Sequence, residues 1–355
     1  MRIAHLIHTL DSNSTSKILT DIACWQSNIA DIIIFAVKKN IGSKELFRLN
    51  EKVRIVCVSN TSANIGFIRT LKLRFLMKKY KPDIIHCHDF DFMKTVWLRS
   101  FRHKARLTLY RDIPSPSYKK YQKVYTISDT IINATGKNEI MHIGVNLDSI
   151  VPKENYTRGN VFKIISIGNM HHKKHGQQLL IKAIRLLYNS NIRNIYVDFI
   201  GDGEATKYLK ELTADYGLED HIAFRGGNDR EYIFRHLKNY DLMVEPSLFD
   251  NIGLTLIEAM AAKLPVIVSK TNISNEILHE GEYGFLFSIG NPFDLADIIK
   301  KILFTDIATI KFHTQKAYNH IAENYNIKKV AEAYLQSYLP QTEISLNNYA
   351  GIASR

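Results

Sequence analysis

The sequence predicts an α/β protein built from two doubly wound parallel sheets, one in each of two domains. Three observations carry that expectation. Short apolar runs of about four to seven residues alternate with helix-length segments along nearly the whole chain, the pattern of strands buried on both faces. The 355 residues exceed what one hydrophobic core commonly supports. The charge is also divided: residues 1–155 hold 25 Lys and Arg against 13 Asp and Glu, while the remaining 22 and 22 cancel.

In chain order, "RIAHLIH", "DIIIFAV", "VRIVCVS", "DIIHCHD", "ARLTLY" and "KVYTIS" read as strands of the first half, and "VFKIISIG", "IYVDFIG", "IAFRG", "LMVEPS" and "PVIVS" as strands of the second. Between them, "VNLDSIVPKENYTRGN" interrupts the alternation with Pro, Gly and polar residues. The expected division is a first domain at 1–155, a second at 156–325, a closing helix at 326–340 and a tail at 341–355. Open parallel sheets bind ligands at the carboxyl ends of their strands, so two such domains facing across a cleft would bind there.

Composition removes several classes. A 45% hydrophobic content is that of a folded globular protein. No apolar run approaches the roughly 18 to 20 residues that span a bilayer, and "MRIAHLIHTLD" lacks the apolar segment of a signal peptide, so a cytoplasmic protein is expected. Cys24, Cys57 and Cys87 form no CxxC pair, which argues against structural zinc.

The most informative stretch is "EPSLFDNIGLTLIEAMAAKLPVI", residues 245–267. Residues 240–244 read as a strand, 245–252 as a loop, and a helix opens near Gly253. The first backbone N–H groups of a helix lack intrahelical acceptors and carry the positive end of its dipole, so Gly253, Leu254 and Thr255 suit a phosphate. Glu258, about a turn and a half further on, would repel phosphate but accept hydrogen bonds from ribose hydroxyls. Asp250 is placed to meet a sugar beyond the diphosphate, with Asn251 and Ile252 beside it.

This string resembles the donor-binding signature of the retaining glycosyltransferases of the GT-B fold, family four. Asp250 stands at the first Glu of the Glu-x7-Glu hallmark, Glu258 at the second, and "EAMAAKLPVIVS" follows. Further segments extend the resemblance: "KPDIIHCHDF", "HIGVNLDSIVP", "GDGEATKYLKELTADYGLEDHIAFRG" and "EILHEGEYGFLF". It implies two Rossmann-like domains, a nucleotide diphosphate sugar as co-substrate, no metal or other cofactor, and transfer to a hydroxyl with retention. It implies that Lys174, with Gly168 and Asn169 before it, meets the diphosphate, and that His88 contacts the sugar from the first domain. "IAFRGGNDREYIF", with Arg225, would line the base pocket, and "NIKKVAEAYLQSYL" would cross back onto the first domain.

Three departures stand out. The Gly pair after the first strand is replaced by "LDSNSTSK", where Ser14, Thr15 and Ser16 offer hydroxyls to the acceptor side. Asn169 takes the place of an Arg, leaving Lys173, His172 and His175 as substitute cations. Asp250 is shorter than Glu by about 1.5 Å. Lys263, where a Gly commonly closes the helix, reads as a neutral change.

"HCHD" sets His86 and His88 on one strand face, His86 as a buried structural residue and His88 as the functional one, without a convincing third metal ligand. "FIRTLKLRFLMKKYK" carries Arg69, Lys72, Arg74, Lys78, Lys79 and Lys81 with no acid, and Phe67, Ile68, Leu71, Phe75 and Leu76 as an apolar stripe. "KTVWLRSFRHKAR", with Arg102, is equally basic. Together they suit the anionic inner face of a membrane, where lipid-linked acceptors are presented; no nucleic-acid motif accompanies them. The function expected is sugar transfer in polysaccharide or lipopolysaccharide assembly. A catalytically weak scaffold and a nucleotide-sugar epimerase of the same fold are the alternatives.

Overall fold

The computed structural model describes residues 1–11, 13–37, 49, 51–58, 66–88, 101, 104–110, 116–131, 138–157, 159–171 and 173–339. The chain divides into two compact units, residues 1–144 with 325 onward, and residues 145–324. The second unit thus begins at Val145, the first residue of the segment that interrupts the alternation, ahead of the boundary expected at 155, and is inserted into the first.

The first unit holds β1 (Arg2–Ile7), α1 (Ser14–Gln26), β2 (Asp31–Ala36), β3 (Arg54–Cys57), α2 (Gly66–Tyr80), β4 (Ile84–His88), β5 (Ala105–Leu109), β6 (Lys123–Thr126) and β7 (Asn138–Ile140). Its strands pair in parallel in the order β3-β2-β1-β4-β5-β6-β7. Runs such as "DIIIFA" are buried almost throughout because helices cover both faces. Helix α1 starts where Asn13 accepts a hydrogen bond from the Ser16 N–H, a side-chain cap that satisfies one of the first free donors.

The second unit holds β8 (Phe162–Ile167), α3 (Gln177–Asn189), β9 (Ile195–Ile200), α4 (Thr206–Asp215), β10 (Ile222–Phe224), α5 (Arg230–His236), β11 (Leu242–Glu245), α6 (Leu254–Ala261), β12 (Val266–Ser269), α7 (Asn272–Ile277), β13 (Phe285–Phe287), α8 (Pro292–Phe304) and α9 (Ile307–Asn324). Its sheet, also parallel, runs β10-β9-β8-β11-β12-β13. The core lies between this sheet and α3 and α8, with Leu180, Ile181, Val197, Leu242, Ile267 and Ile299 fully enclosed. Helix α7 opens with a capping box between Thr271 and Ser274, and α8 with Asn291 as cap and Pro292 in the first turn.

The last helix, α10 (Ile327–Tyr338), returns to the first unit and packs on α1. In each sheet the strand order reverses once, between β1 and β4 and between β8 and β11. Such switch points open a crevice at the carboxyl ends of the two strands, because the following segments leave toward opposite faces.

Candidate functional site

In the second unit the switch point is formed by the turn after β8 and the loop after β11. The turn runs from Gly168 to Gly176 and is closed by Lys174 and His175 N–H groups on the His171 carbonyl. The Lys174 carbonyl then accepts the Leu248 N–H at 2.7 Å, which ties the turn to the loop. The His175 ring stands edge-on to Phe249. This sets the turn that carries Lys174 against the loop residues Leu248 and Phe249, directly ahead of Asp250, Asn251 and Gly253 in the chain. Asn169, Lys174 and Asp250 are exposed, Gly168, Asn251, Ile252 and Thr255 partly so, and Gly253, Leu254 and Glu258 buried.

Gly253 caps α6 in the left-handed conformation, φ 78°, and a Cβ there would collide with Ile277. The Asp250 carboxylate accepts the Ile273 N–H at 3.1 Å, so its position is set by the start of α7. Asn251 donates to Glu245 and its own side chain accepts the Ile252 N–H. Of the substitute cations, burial, with the charges of His171 and Lys174, lowers the His175 pKa, so this ring is not a standing positive charge. His172 lies outside the described residues. Arg225 is half-exposed and bonds Asp198 at 2.6 Å and the Tyr196 hydroxyl at 3.1 Å, which holds it at the end of β10.

Two residues of this site escape the sequence reading. The Arg230 Nε donates to Glu258 Oε1 at 2.6 Å, and the two side chains are only 4% and 9% exposed. Glu245, at the end of β11, is buried with Ser247 and Ser269 around a small cavity, and its Oε2 has no hydrogen-bond partner. Burial raises its pKa against the lowering effect of Asn251 and Ser247, and the Glu258 charge adds to the rise. A charged residue inside the strand-like "LMVEPS" is the available signal for Glu245; Arg230 lies inside "IAFRGGNDREYIF", the segment expected to line the base pocket, with nothing local to mark its pairing with Glu258.

Lys263 is not the neutral change expected. It follows α6 at φ 54°, the left-handed position where a helix favours Gly, and such a conformation costs a residue with a Cβ about 1–2 kcal/mol. Its Nζ offsets part of this through Glu154 at 2.9 Å and the Tyr318 ring.

The first unit's switch point contains a buried histidine cluster. Nitrogens of His5, His86 and His88 lie within 4.8 Å of one another. Every ring nitrogen has a partner: His5 meets His88 at 3.0 Å and Gln26 at 2.9 Å, His86 meets Tyr338 and Thr108, and His88 also meets Tyr110 at 2.8 Å. Hydrogen bonds thus account for the cluster. His88, like His86, is interior, and a sugar contact would have to displace one of its two bonds. Burial lowers the pKa of all three, His5 to about 4.

Ser14 and Thr15 form the first turn of α1, with Thr15 buried. On α2, Leu76 of the apolar stripe faces inward with Leu73 and Met77, while Leu71 and Phe75 are exposed at 41% and 64%. Lys72, Lys78 and Lys79 share that outward side. The Arg69 side chain, Arg102 and residues 341–355 lie outside the described residues. Among the described residues, no helix is long and apolar enough to cross a membrane.

Two parallel sheets with these switch points define the GT-B fold, and solved structures agree. A glycosyltransferase from Rickettsia africae superposes with TM-score 0.77 at 20% identity, covering 95% of this chain and 97% of that one. Anabaena HepE with UDP and glucose gives 0.72 at 18% identity, covering 95% and 99%. Residues 150–329 match the family described as Glycosyl transferases group 1, and the chain belongs to it. Among curated relatives, the UDP-Gal:alpha-D-GlcNAc-diphosphoundecaprenol alpha-1,3-galactosyltransferase of Escherichia coli is 23% identical over 339 residues, 82% of this chain and 85% of that protein. A glycosyltransferase of Methanocaldococcus jannaschii is 26% identical over 176 residues, 49% of this chain and 44% of that protein.

Proposed function

We propose that the chain transfers a sugar, with retention, from a nucleotide diphosphate sugar to a hydroxyl of a lipid-linked or saccharide acceptor, in cell-surface polysaccharide or lipopolysaccharide synthesis. The observation that carries this reading is the Leu248–Lys174 tie, which sets a cationic turn against the loop and helix start of the family signature. Relatives named for galactosyl transfer to a diphosphoundecaprenol-linked sugar and for lipopolysaccharide core synthesis support the acceptor class.

In this reading Lys174 and the start of α6 hold the diphosphate and stabilise it as it leaves, so no metal is needed. Asp250 orients the sugar, Glu258 holds the ribose, and Arg225 borders the base. The bond from the anomeric carbon to the phosphate oxygen breaks, the acceptor oxygen attacks on the same face, and its proton passes to the departing phosphate. No protein nucleophile is required. Ser14 and Thr15 serve the acceptor, and α2 rests on the inner face of an anionic membrane.

Thermal unfolding against UDP, GDP, ADP and TDP and their sugars tests the donor site. A ligand at a hundred times its Kd stabilises by about 2.7 kcal/mol, a shift of several degrees. One base should shift the wild type, and Glu258→Ala by only about half as much, since a roughly tenfold weaker Kd leaves about 1.4 kcal/mol. No shift with any nucleotide would overturn the reading.

A further inference from the structure

We infer that Arg230 is a positioning residue for ribose recognition, acting through Glu258; this rests on the donor reading above. Glu258 lies on the second turn of α6, the helix whose start is assigned to the diphosphate. An unpaired carboxylate there would repel that ligand and would be buried without a counter-charge. Arg230 removes both problems, since its Nε reaches Glu258 Oε1 at 2.6 Å inside the unit. One oxygen is thereby fixed and the carboxylate charge is balanced.

Arg230 is itself held in place. It is the first residue of α5, directly after Asp229, whose side chain accepts the Tyr232 N–H at 2.6 Å. Its guanidinium lies 4.8 Å from the centre of the Phe234 ring one turn on. A cap on one side and an aromatic face on the other leave the guanidinium little freedom, so the orientation passes to Glu258. Lysine at this position would keep the charge but lose the planar fork.

The readout is the preference for ribose over 2′-deoxyribose. Binding of UDP, GDP and ADP, each against its 2′-deoxy counterpart, is measured by calorimetry for the wild type, Arg230→Met, Arg230→Lys, Glu258→Gln and the double variant Arg230→Met/Glu258→Gln. The wild type should favour the ribonucleotide of its base by roughly tenfold or more, the worth of a hydrogen bond to a charged group. Arg230→Met should lose the preference for ribose, with both forms weakened because the unpaired Glu258 now repels the diphosphate, and Arg230→Lys should keep part of the preference. The double variant carries no unpaired buried charge and so remains folded if Arg230→Met does not; it should show no preference and no loss beyond Glu258→Gln. A full preference in Arg230→Met, with none in Glu258→Gln, overturns the role of Arg230 and leaves the ribose reading standing. A wild type that binds both forms equally overturns the ribose reading and this inference with it.

Discussion

The His86 Nδ1 and the Tyr338 hydroxyl, 252 positions apart in the chain, lie 2.5 Å from each other in the interior of the first unit. Around them Thr108 meets the Tyr334 hydroxyl and Tyr125 meets Ser337, so α10 is fastened to the sheet by polar side chains as well as by packing. Replacing Tyr338 by Phe keeps the ring and leaves a buried His86 nitrogen unpaired. The loss should be about 1–3 kcal/mol, read as a lower urea midpoint with unchanged slope. Unchanged stability would mean that packing alone holds the helix.

The same cluster predicts sensitivity to acid. Unfolded histidines bind a proton near pH 6.5, whereas folded His5 does so only at about 4, and His86 and His88 are also held well below 6.5. The unfolded state therefore binds more protons in this window, and stability, fully present above pH 6.5, falls as the pH drops toward 4. His5 alone should account for about 2 kcal/mol between pH 7 and pH 5. Denaturation at the two values, with His5→Gln removing its share, checks this; a flat profile would show that the folded rings accept the charge.

Glu245 predicts the opposite slope. Its pKa is raised in the folded protein, so its ionised form is a cost that grows as the pH rises through that value. Gln keeps the oxygen that accepts from Asn251 and removes the charge. Glu245→Gln should melt higher than the wild type at pH 7.5, with the gap closing as the pH is lowered. A lower melting point throughout would show that the carboxylate is stabilised where it stands.

Much of this is legible in the sequence. The buried strands announce themselves as apolar runs because both faces of each sheet are covered, and the Asp250 to Glu258 string marks its own helix start. The missed elements are short or non-local. β7 and β13 are three-residue edge strands whose sequences, "NEI" and "FLF", are too brief for periodicity to register. Arg230 meets Glu258 across 28 positions, and His5 meets His88 across 83, distances at which only the fold decides contact.

Leu71 and Phe75, one turn apart and exposed beside Lys72, Lys78 and Lys79, lead to a prediction for membrane binding. Apolar side chains insert where cations are drawn to anionic headgroups, each worth about 1 kcal/mol. Phe75→Asp should reduce co-sedimentation with phosphatidylglycerol vesicles, and raised salt should reduce it further. Equal sedimentation of the variant would remove α2 from the membrane contact.

Gly176 carries the last prediction, because it sets how closely the turn after β8 approaches the signature loop. It caps α3 at φ 65°, and a Cβ there would run into the Pro246 carbonyl, backbone that cannot swing aside. An alanine must therefore either push the turn away from the loop or be carried at high strain, at a cost of about 2–3 kcal/mol. Displacing the turn would also stretch the bond between the Leu248 N–H and the Lys174 carbonyl, so nucleotide affinity should fall along with stability. Gly227 is the control, since nothing lies within 4 Å of where its Cβ would sit. Gly227→Ala should leave the melting temperature and nucleotide binding unchanged. If Gly176→Ala is destabilised but binds nucleotide with wild-type affinity, the turn and the loop act separately, and the tie through Lys174 does not organise the donor site.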